Sequence, residues 1–457
     1  MSNLLTRRRY GTEGRSTSTR ITRPPQELTD SGWFASLDDV PPPRTPSGTV
    51  RCDWLVVGGG WMGLHAAQRL AELRPDERIV LIDAGRIGNS AAGRSAGFAI
   101  DLAHNPRRKD FAEDTEGNRE ETAVNREGIA YMRACRERYG IACDWSDEGK
   151  IHAAASAHGH RHLQTLDEAL ERIGEPREWY DRDTMQAITG TSYYGQGLFT
   201  PGTHLLQPAA YLRGLADTLA GQIAVYENSP VTEIRHGSRY HTCTAGDATI
   251  ETRNLVLTTN GYLSRFGFFS EHVIPVYTYA SLTRPLTDEE LARIPGRATF
   301  GLIPADPFGT TVRRTVDRRI FIRNIYDYAP GFHISPARLA HAQSRHQRSF
   351  AARYPQIAGI GFEHTWGGCL CLAQNGGMVF GEIAARVFAA AFCNGTGIAR
   401  GTAFGKALAE LATGRDSPTI DILQRRPAPT RTLPRPLLKL GVRLTTRYRL
   451  WRAGAET

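Results

Sequence analysis

No apolar run in this chain reaches the roughly 18 to 20 residues needed to cross a bilayer, and residues 1–23 are rich in arginine, serine and threonine, without the apolar stretch of a secretion signal. The expectation is a protein that stays in the cytoplasm. Cysteine is sparse: seven residues, an odd number, scattered without the paired spacing of a zinc site or the density of a disulfide scaffold. Reduced thiols are expected. Lysine is scarcer still, with only Lys109, Lys150, Lys406 and Lys439 among 56 basic residues.

The net charge of +9 invites a nucleic-acid reading, but its distribution argues against one. Six arginines face one glutamate between Met1 and Pro25, and eight arginines and a lysine face one glutamate from Arg425 onward, which leaves a slightly acidic body. Charge confined to two tails lies outside the folded unit that would have to read a groove, so no nucleic-acid partner is expected.

What is present is the composition of a globular protein, 457 residues with 40% apolar and 23% charged, large enough for more than one core. Residues 1–50 carry Pro24-Pro25 and Pro41-Pro42-Pro43 and read as an extended arm. Trp54 to Val57 is a short buried run, Gly58 to Gly60 punctuates it, and Leu64, Ala67, Leu70 and Ala71 recur at helical spacing. A second strand, Ile79 to Ile82, ends on Asp83. This is the start of a βαβ unit, with the crossover length that a parallel pair needs. Helices are predicted over Glu120 to Tyr139 and over Pro208 to Ala220, the latter with proline in its first turn. Strands are predicted at Ala224 to Tyr226, Val231 to Ile234 and Leu255 to Thr259, and Ile274 to Leu282 and Arg319 to Ile325 suit a second, antiparallel sheet.

Gly58-Gly59-Gly60-Trp61-Met62-Gly63 is a GxGxxG turn: the first glycine makes the tight bend, the second lets backbone approach a pyrophosphate, and the third allows close helix-strand packing. The hexapeptide gains its weight from context. A buried strand precedes it, a helix follows, and Asp83 lies twenty positions past Gly63, where a carboxylate can accept ribose hydroxyls.

Gly88 to Gly97 is a run of small residues, Gly-Asn-Ser-Ala-Ala-Gly-Arg-Ser-Ala-Gly, that lets backbone pass close to a large flat ligand. Here the sequence resembles the D-amino-acid-oxidase-like FAD-dependent oxidoreductases, the group of glycine oxidase, sarcosine oxidase and gamma-glutamylputrescine oxidoreductase. That family joins the GxGxxG turn and acidic residue to a loop like Gly88 to Gly97. The resemblance continues through Gln207-Pro208 and the helix after it, Val231 to Ile234, Leu255 to Gly261, Trp366-Gly367-Gly368, and Asn394 to Ile398 with Gly405. The stretch Asn394-Gly395-Thr396-Gly397 lacks the histidine common in the family, and the stretch Pro275 to Leu282 lacks the lysine that promotes reaction with oxygen in sarcosine-oxidase-like members.

The resemblance implies an α/β fold in which an FAD-binding Rossmann-like domain (51–110, 200–262 and 355–415) interleaves with an antiparallel-sheet substrate domain (111–199 and 263–354), between the arm and a basic tail (416–457). It implies FAD held by Gly58, Gly60, Trp61, Met62, Gly63, Asp83, Ala84, Arg86, Ser90, Gly93, Arg94 and Ser95, with Val231, Asn260, Gly261, Trp366, Gly395, Gly397 and Ile398 completing the cradle. The activity implied is oxidation of the C–N bond of an amine or amino acid, by hydride transfer to the flavin and hydrolysis of the imine. Three alternatives stay open: a dehydrogenase serving a quinone or carrier protein, an NAD-dependent reductase, and a flavin-binding protein without turnover.

Arg323 is the candidate substrate ligand, because a guanidinium fork suits a carboxylate and alternation puts it on one strand face with Phe321 and Ile325. Tyr277, Tyr279 and Tyr326 are the other candidates. Cys369 and Cys371 follow the Trp-Gly-Gly motif and are expected to be buried thiols with no covalent flavin. His158, His160 and His162 alternate without an acidic or cysteine partner nearby, so no metal site is expected. Arg313-Arg314 and Arg318-Arg319 are expected on a solvated hairpin. Leu437 to Leu444, mixed with basic residues, fits either an interfacial amphipathic helix that touches membrane or a helix folded back on the body or a partner.

Overall fold

The computed structural model describes residues 18–103 and 114–457. Short runs of apolar, β-branched residues form a parallel sheet core: Thr49–Val57 pairs with Ile79–Ile82 on one side and Ala248–Leu257 on the other, Ile79–Ile82 continues to Ala224–Tyr226, and Ala248–Leu257 also pairs with Val387–Ala391. Leu55, Val56, Val80, Leu81, Ile82 and Leu257 have no exposed surface to speak of, as strands covered on both faces require. Carboxyl ends align, with Val57 opposite both Ile82 and Leu257, so the chain leaves the sheet into Gly58, Asp83 and Thr258 at one edge. That edge is where open α/β sheets bind ligands. An antiparallel flank, Val231–Arg235 and His241–Ala245, extends the sheet, and the arm adds Ser18–Arg20 to it.

Helices Trp61–Leu73, Thr115–Tyr139, Pro208–Ala220 and Ala399–Ala412 bury their apolar stripes together over one face. The approach of two of them is unusually close. A Cβ on Gly405 would lie 2.1 Å from the carbonyl oxygen of Met62, and one on Gly128 2.0 Å from that of Ala399, so glycine is required at both crossings.

The second sheet has eight strands and is antiparallel except where Phe300–Pro304 runs parallel to Lys150–Ala154. Its order places Phe362–Ala373 at one edge beside Val273–Thr283, then Ile320–Tyr328 and Thr311–Arg314. Residues 362–373, grouped by sequence with the cofactor unit, are hydrogen-bonded into this second sheet along their whole length.

Three expectations need correction. The arm is not simply extended: Gly32–Ala35 is a helical turn capped by Ser31, and Trp33 is buried against Phe321 (ring centroids 5.3 Å apart) and Trp366 (6.2 Å). A tryptophan and the serine cap outweigh the flanking prolines. The basic tail does not lie outside the folded unit either: in keeping with one of the alternatives for Leu437 to Leu444, it folds back on the body through Leu438 and Val442. It forms the helices Pro418–Arg425 and Arg435–Ala453, and its end is buried: Glu456 accepts from the amides of Ala155 and Ser156, while the Thr457 carbonyl accepts from Ser349, Thr310 and Arg353. Arg313 and Arg314 are buried, not solvated. Arg313 donates to the carbonyls of Ala96 (2.7 Å) and Leu206 (2.9 Å), joining the second sheet to the first unit, and burial pulls its pKa down to about 10. Arg318 alone keeps the expected exposed position, paired with Asp288.

Candidate active site

The three glycines of the turn have three different jobs. Gly58 has φ +106°, and a Cβ there would meet the Thr258 carbonyl at 3.0 Å. A Cβ on Gly63 would lie 1.7 Å from the Gly58 carbonyl oxygen, so this position is closed to every other residue. Gly60 differs: its Cβ would meet only the Ala92 methyl, at 3.2 Å. Protein packing therefore requires Gly58 and Gly63, whereas Gly60 borders open space, as a glycine that admits a ligand must.

Gly60 is also the N-cap of the Trp61–Leu73 helix and supplies no capping side chain. Ile398, at the head of Ala399–Ala412, supplies none either. Helices Thr115–Tyr139, Ala157–Ile173, Arg182–Thr189 and Pro336–Arg353 all begin under a side-chain cap. Two uncapped helix heads leave amide donors and positive dipole ends free for phosphate. Trp61 donates its indole N–H to the Ala92 carbonyl at 2.9 Å, and Met62 is buried under Gly401 and Gly405, so the turn, the small-residue loop and the last helix are one packed unit.

Asp83 is buried, and its two carboxylate oxygens accept from the amides of Gly59 (2.6 Å) and Gly85 (2.8 Å). Burial pushes its pKa up, the Gly85 and Gly59 amides oppose that, and Glu227 adds to it. Each oxygen keeps a lone pair for a ribose hydroxyl. Ala84 is half-buried beside it, and Ser229 donates its amide to the Asp83 carbonyl at 2.9 Å, which ties the strand holding Val231 to this corner. Arg86 donates to the Pro41 carbonyl and lies 3.4 Å from Glu227.

In the loop, Ser90 opens a short 3-10 turn, Ala91–Arg94, and a Cβ on Gly93 would strike the Gly88 carbonyl at 1.8 Å. Arg94 is buried and fully used: it donates to the carbonyls of Asn89 (2.7 Å), Gly367 (3.1 Å) and Thr29, and lies 3.4 Å from Glu27. Its own carbonyl accepts from the Trp366 indole at 3.1 Å, and that of Ser95 accepts from the Trp33 indole at 2.8 Å. Arg94 and Trp366 thus lock the loop to the edge of the second sheet. Glu27 is a residue that sequence reasoning missed, since nothing in a proline-rich arm signals it. Burial pushes its pKa up; Arg94 opposes this and Asp83 adds to it.

Asn260 (φ +46°) accepts from the Phe392 amide at 2.8 Å, and Gly261 leaves room for Phe332 and Cys371, either of which a Cβ would crowd. Asn394 and Gly395 are successive left-handed residues, and Asn394 accepts from the Ala373 amide at 2.9 Å. Asparagine tolerates this backbone, which accounts locally for Asn394. Around Gly395 a Cβ would meet nothing, and around Gly397 only Cys393 Sγ at 3.7 Å, so both glycines line open space before Ile398. The cradle glycines, the uncapped helices and Asp83 together fit a dinucleotide, whose pyrophosphate Gly60 and whose ribose Asp83 would hold.

On the second sheet, Arg323 lies opposite Ala280 and Thr311, on the face shared with Phe321 and Trp366 that packs against the first unit. Ile325 does not share that face. It has φ +64° and sits in a bulge, where Thr278 pairs with Tyr326 and Tyr279 with Asn324, so it turns toward Tyr277, Tyr279 and Ala342. Tyr326 consequently returns to the face of Arg323, whose guanidinium carbon is 5.0 Å from its ring centroid. Tyr277 and Tyr279 point the other way, their hydroxyls donating to the Phe332 carbonyl and to Asp327, both at 2.8 Å. The four substrate candidates therefore separate into Arg323 with Tyr326 and Tyr277 with Tyr279. Cys369 packs beside Tyr277, Cys371 is buried against Gly261, and burial pushes both thiols up.

Away from the cradle, the reason given for excluding a metal at the alternating histidines fails. Asp306, remote in sequence, lies 3.1 Å from His158 Nε2 and 3.8 Å from His162 Nε2, while His160 turns toward Trp179.

Comparison with known proteins agrees with this geometry. Residues 53–411 match the model of the DAO family, described as FAD dependent oxidoreductase. Gamma-glutamylputrescine oxidoreductase of Escherichia coli K12 is 27% identical over 401 residues, covering 85% of this chain and 90% of its own, and a probable oxidoreductase OrdL of Haemophilus influenzae is 24% identical over 409 residues, covering 86% and 90%. Among solved structures, glycine oxidase from Geobacillus kaustophilus superposes with a TM-score of 0.66 at 19% identity, over 84% of this chain and all of that one. L-amino acid deaminase from Proteus vulgaris gives 0.65 at 13% identity, over 84% and 99%. The fold is theirs, a glycine turn whose middle member faces open space, set beside a buried aspartate and two uncapped helices, fits the cofactor of that family, and the chain belongs to the DAO family of FAD-dependent oxidoreductases.

Proposed function

We propose that the protein oxidises the C–N bond of an amine or amino acid that carries an acidic group, and that Arg323 holds that group. The observation that carries this reading is Arg323 itself. It is half-buried, it lies on the sheet face turned to the FAD unit, and among the described residues no carboxylate pairs with it. An arginine stacked on Tyr326 and left without an anionic partner is a preformed fork for one. The glycine oxidase and gamma-glutamylputrescine oxidoreductase to which the chain is similar are named for substrates with a carboxylate and an amine.

FAD, when bound, would supply the oxidising power, a hydride and with it both electrons being taken from the carbon beside nitrogen; the neutral amine thereby becomes an iminium that water hydrolyses to a carbonyl and an amine. The protein's share is orientation: Arg323, stacked on the ring of Tyr326, whose hydroxyl donates to the Pro307 carbonyl at 3.0 Å, fixes the acidic end and thereby aims the amine. No general base is required where the amine binds neutral. Arg323→Ala should raise KM about tenfold or more for an acidic amine, the loss of a charge-assisted pair, with FAD content unchanged. An anaerobic screen of amines and amino acids, read by flavin bleaching, identifies the substrate. Unaltered kinetics in Arg323→Ala, or a best substrate with no acidic group, would refute the assignment.

A second reading concerns the electron acceptor. Val273–Thr283 carries no lysine, and the buried Lys150 is committed to Thr203 (3.0 Å) and Asp101 (3.9 Å). This favours a quinone or carrier protein over oxygen. Turnover with an artificial acceptor but little peroxide would support it.

A further inference from the structure

Of the nine large apolar side chains exposed among the described residues, six lie between Leu433 and Trp451. Five of them, Leu437, Leu440, Leu444, Tyr448 and Trp451, belong to the helix Arg435–Ala453, and their spacing of three and four residues places them in one stripe. Each of these five is at least 57% exposed, and Trp451 is 78% exposed. Lys439, Arg443 and Arg447 flank the stripe, and the helix contains no acidic residue. Its orientation is fixed. Leu438 and Val442 pack inward on Ile274 and Val276, and the chain end beyond it is buried through Glu456 and Thr457. The outward stripe is therefore a built surface, not the side of a loose tail.

We propose that this helix docks the protein on an anionic lipid bilayer, lying in the interface with Leu440, Leu444 and Trp451 among the acyl chains and the flanking cations on the headgroups. An apolar stripe edged only by positive charge fits a surface that is apolar beneath and negative above. A second copy fits less well, because an isologous contact would bring the cationic flanks together. No described helix is long and apolar enough to span a membrane, so the contact is peripheral. It also accounts for a basic charge that the flavin site does not use.

The test is co-sedimentation of the full-length, FAD-loaded protein with phosphatidylglycerol-containing vesicles and with pure phosphatidylcholine vesicles. Binding is expected to the anionic vesicles, falling as salt is raised from about 0.1 to 1 M because the charges are screened, and little is expected to the neutral ones. Leu440→Asp with Leu444→Asp, both outward-facing, should lower the binding about tenfold or more while FAD content stays that of wild type. Should that variant fold poorly, Arg443→Glu with Arg447→Glu serves instead, both residues being exposed. Absence of binding to anionic vesicles, or binding that survives both variants, would overturn the proposal. So would a dimer in light scattering that the aspartates convert to monomer in a protein indifferent to vesicles, which would assign the stripe to a second copy.

Discussion

Replacing Gly60 and Gly63 one at a time separates a glycine required by the ligand from one required by the fold. In Gly63→Ala the new methyl would stand 1.7 Å from the Gly58 carbonyl oxygen and 2.7 Å from Thr258 Oγ1. The methyl is fixed rigidly to the helix backbone and its nearest neighbour is the backbone of a turn between a buried strand and a buried helix, so relief requires the helix to shift. Overpacking of this kind costs about 3 kcal/mol or more. At roughly 2 to 4 °C per kcal/mol for a domain of this class, the protein freed of FAD should melt about 6 to 12 °C lower. In Gly60→Ala the methyl meets only Ala92, at 3.2 Å, which a small outward movement relieves. The melting temperature of the FAD-free protein should stay within about 2 °C of wild type, a cost below about 1 kcal/mol. FAD should nevertheless bind about tenfold or more weakly, since backbone is held off the pyrophosphate and one charge-assisted hydrogen bond of about 1.5 to 3 kcal/mol is weakened. Differential scanning fluorimetry of both FAD-free variants, with titration by FAD, gives the two numbers. A Gly60→Ala protein that binds FAD as wild type does, or a Gly63→Ala protein that melts with it, would refute the division of roles.

Asp83→Ala should weaken FAD and also lower stability by about 1 to 3 kcal/mol, because the Gly59 amide loses a buried acceptor; equilibrium unfolding without FAD checks the second part, and an unchanged midpoint would contradict it. His65 and His346 are buried and held neutral, burial pulling their pKa values to about 4 and about 3 from 6.5. Their depressed values mean that the unfolded chain takes up protons first, so stability present above pH 6.5 should fall as the pH drops from 6.5 toward 4, by up to about 1.4 kcal/mol per pH unit for each histidine. Urea midpoints that stay flat over that window would count against it. FAD should be non-covalent, since burial keeps Cys369 and Cys371 as thiols; acid-precipitated protein should leave its yellow colour in the supernatant, and colour retained in the pellet but lost in Cys369→Ser or Cys371→Ser would show a thioether.

What the sequence determined by itself is local. The Pro208–Ala220 helix begins at its proline and the Ile79–Ile82 strand ends at Asp83, both as read from periodicity and punctuation. The glycine turn was equally legible, because its parts lie within thirty residues and each has a local reason, steric room or hydrogen bonding, to be glycine or aspartate. Tertiary structure decided whatever depends on residues distant in the chain. Alternation put Ile325 beside Arg323, and one bulge, invisible in composition, turned it to the opposite face. Arg313-Arg314 looked solvated because charge is usually exposed, yet Arg313 is held inside by two carbonyls more than 100 residues away in the chain. Trp33 and Glu27 sit in a proline-rich arm without periodicity and acquire meaning only against Trp366 and Arg94. Hydrophobic period and turn chemistry act over one helical turn or one strand, and they carry no information about which distant group will supply a partner.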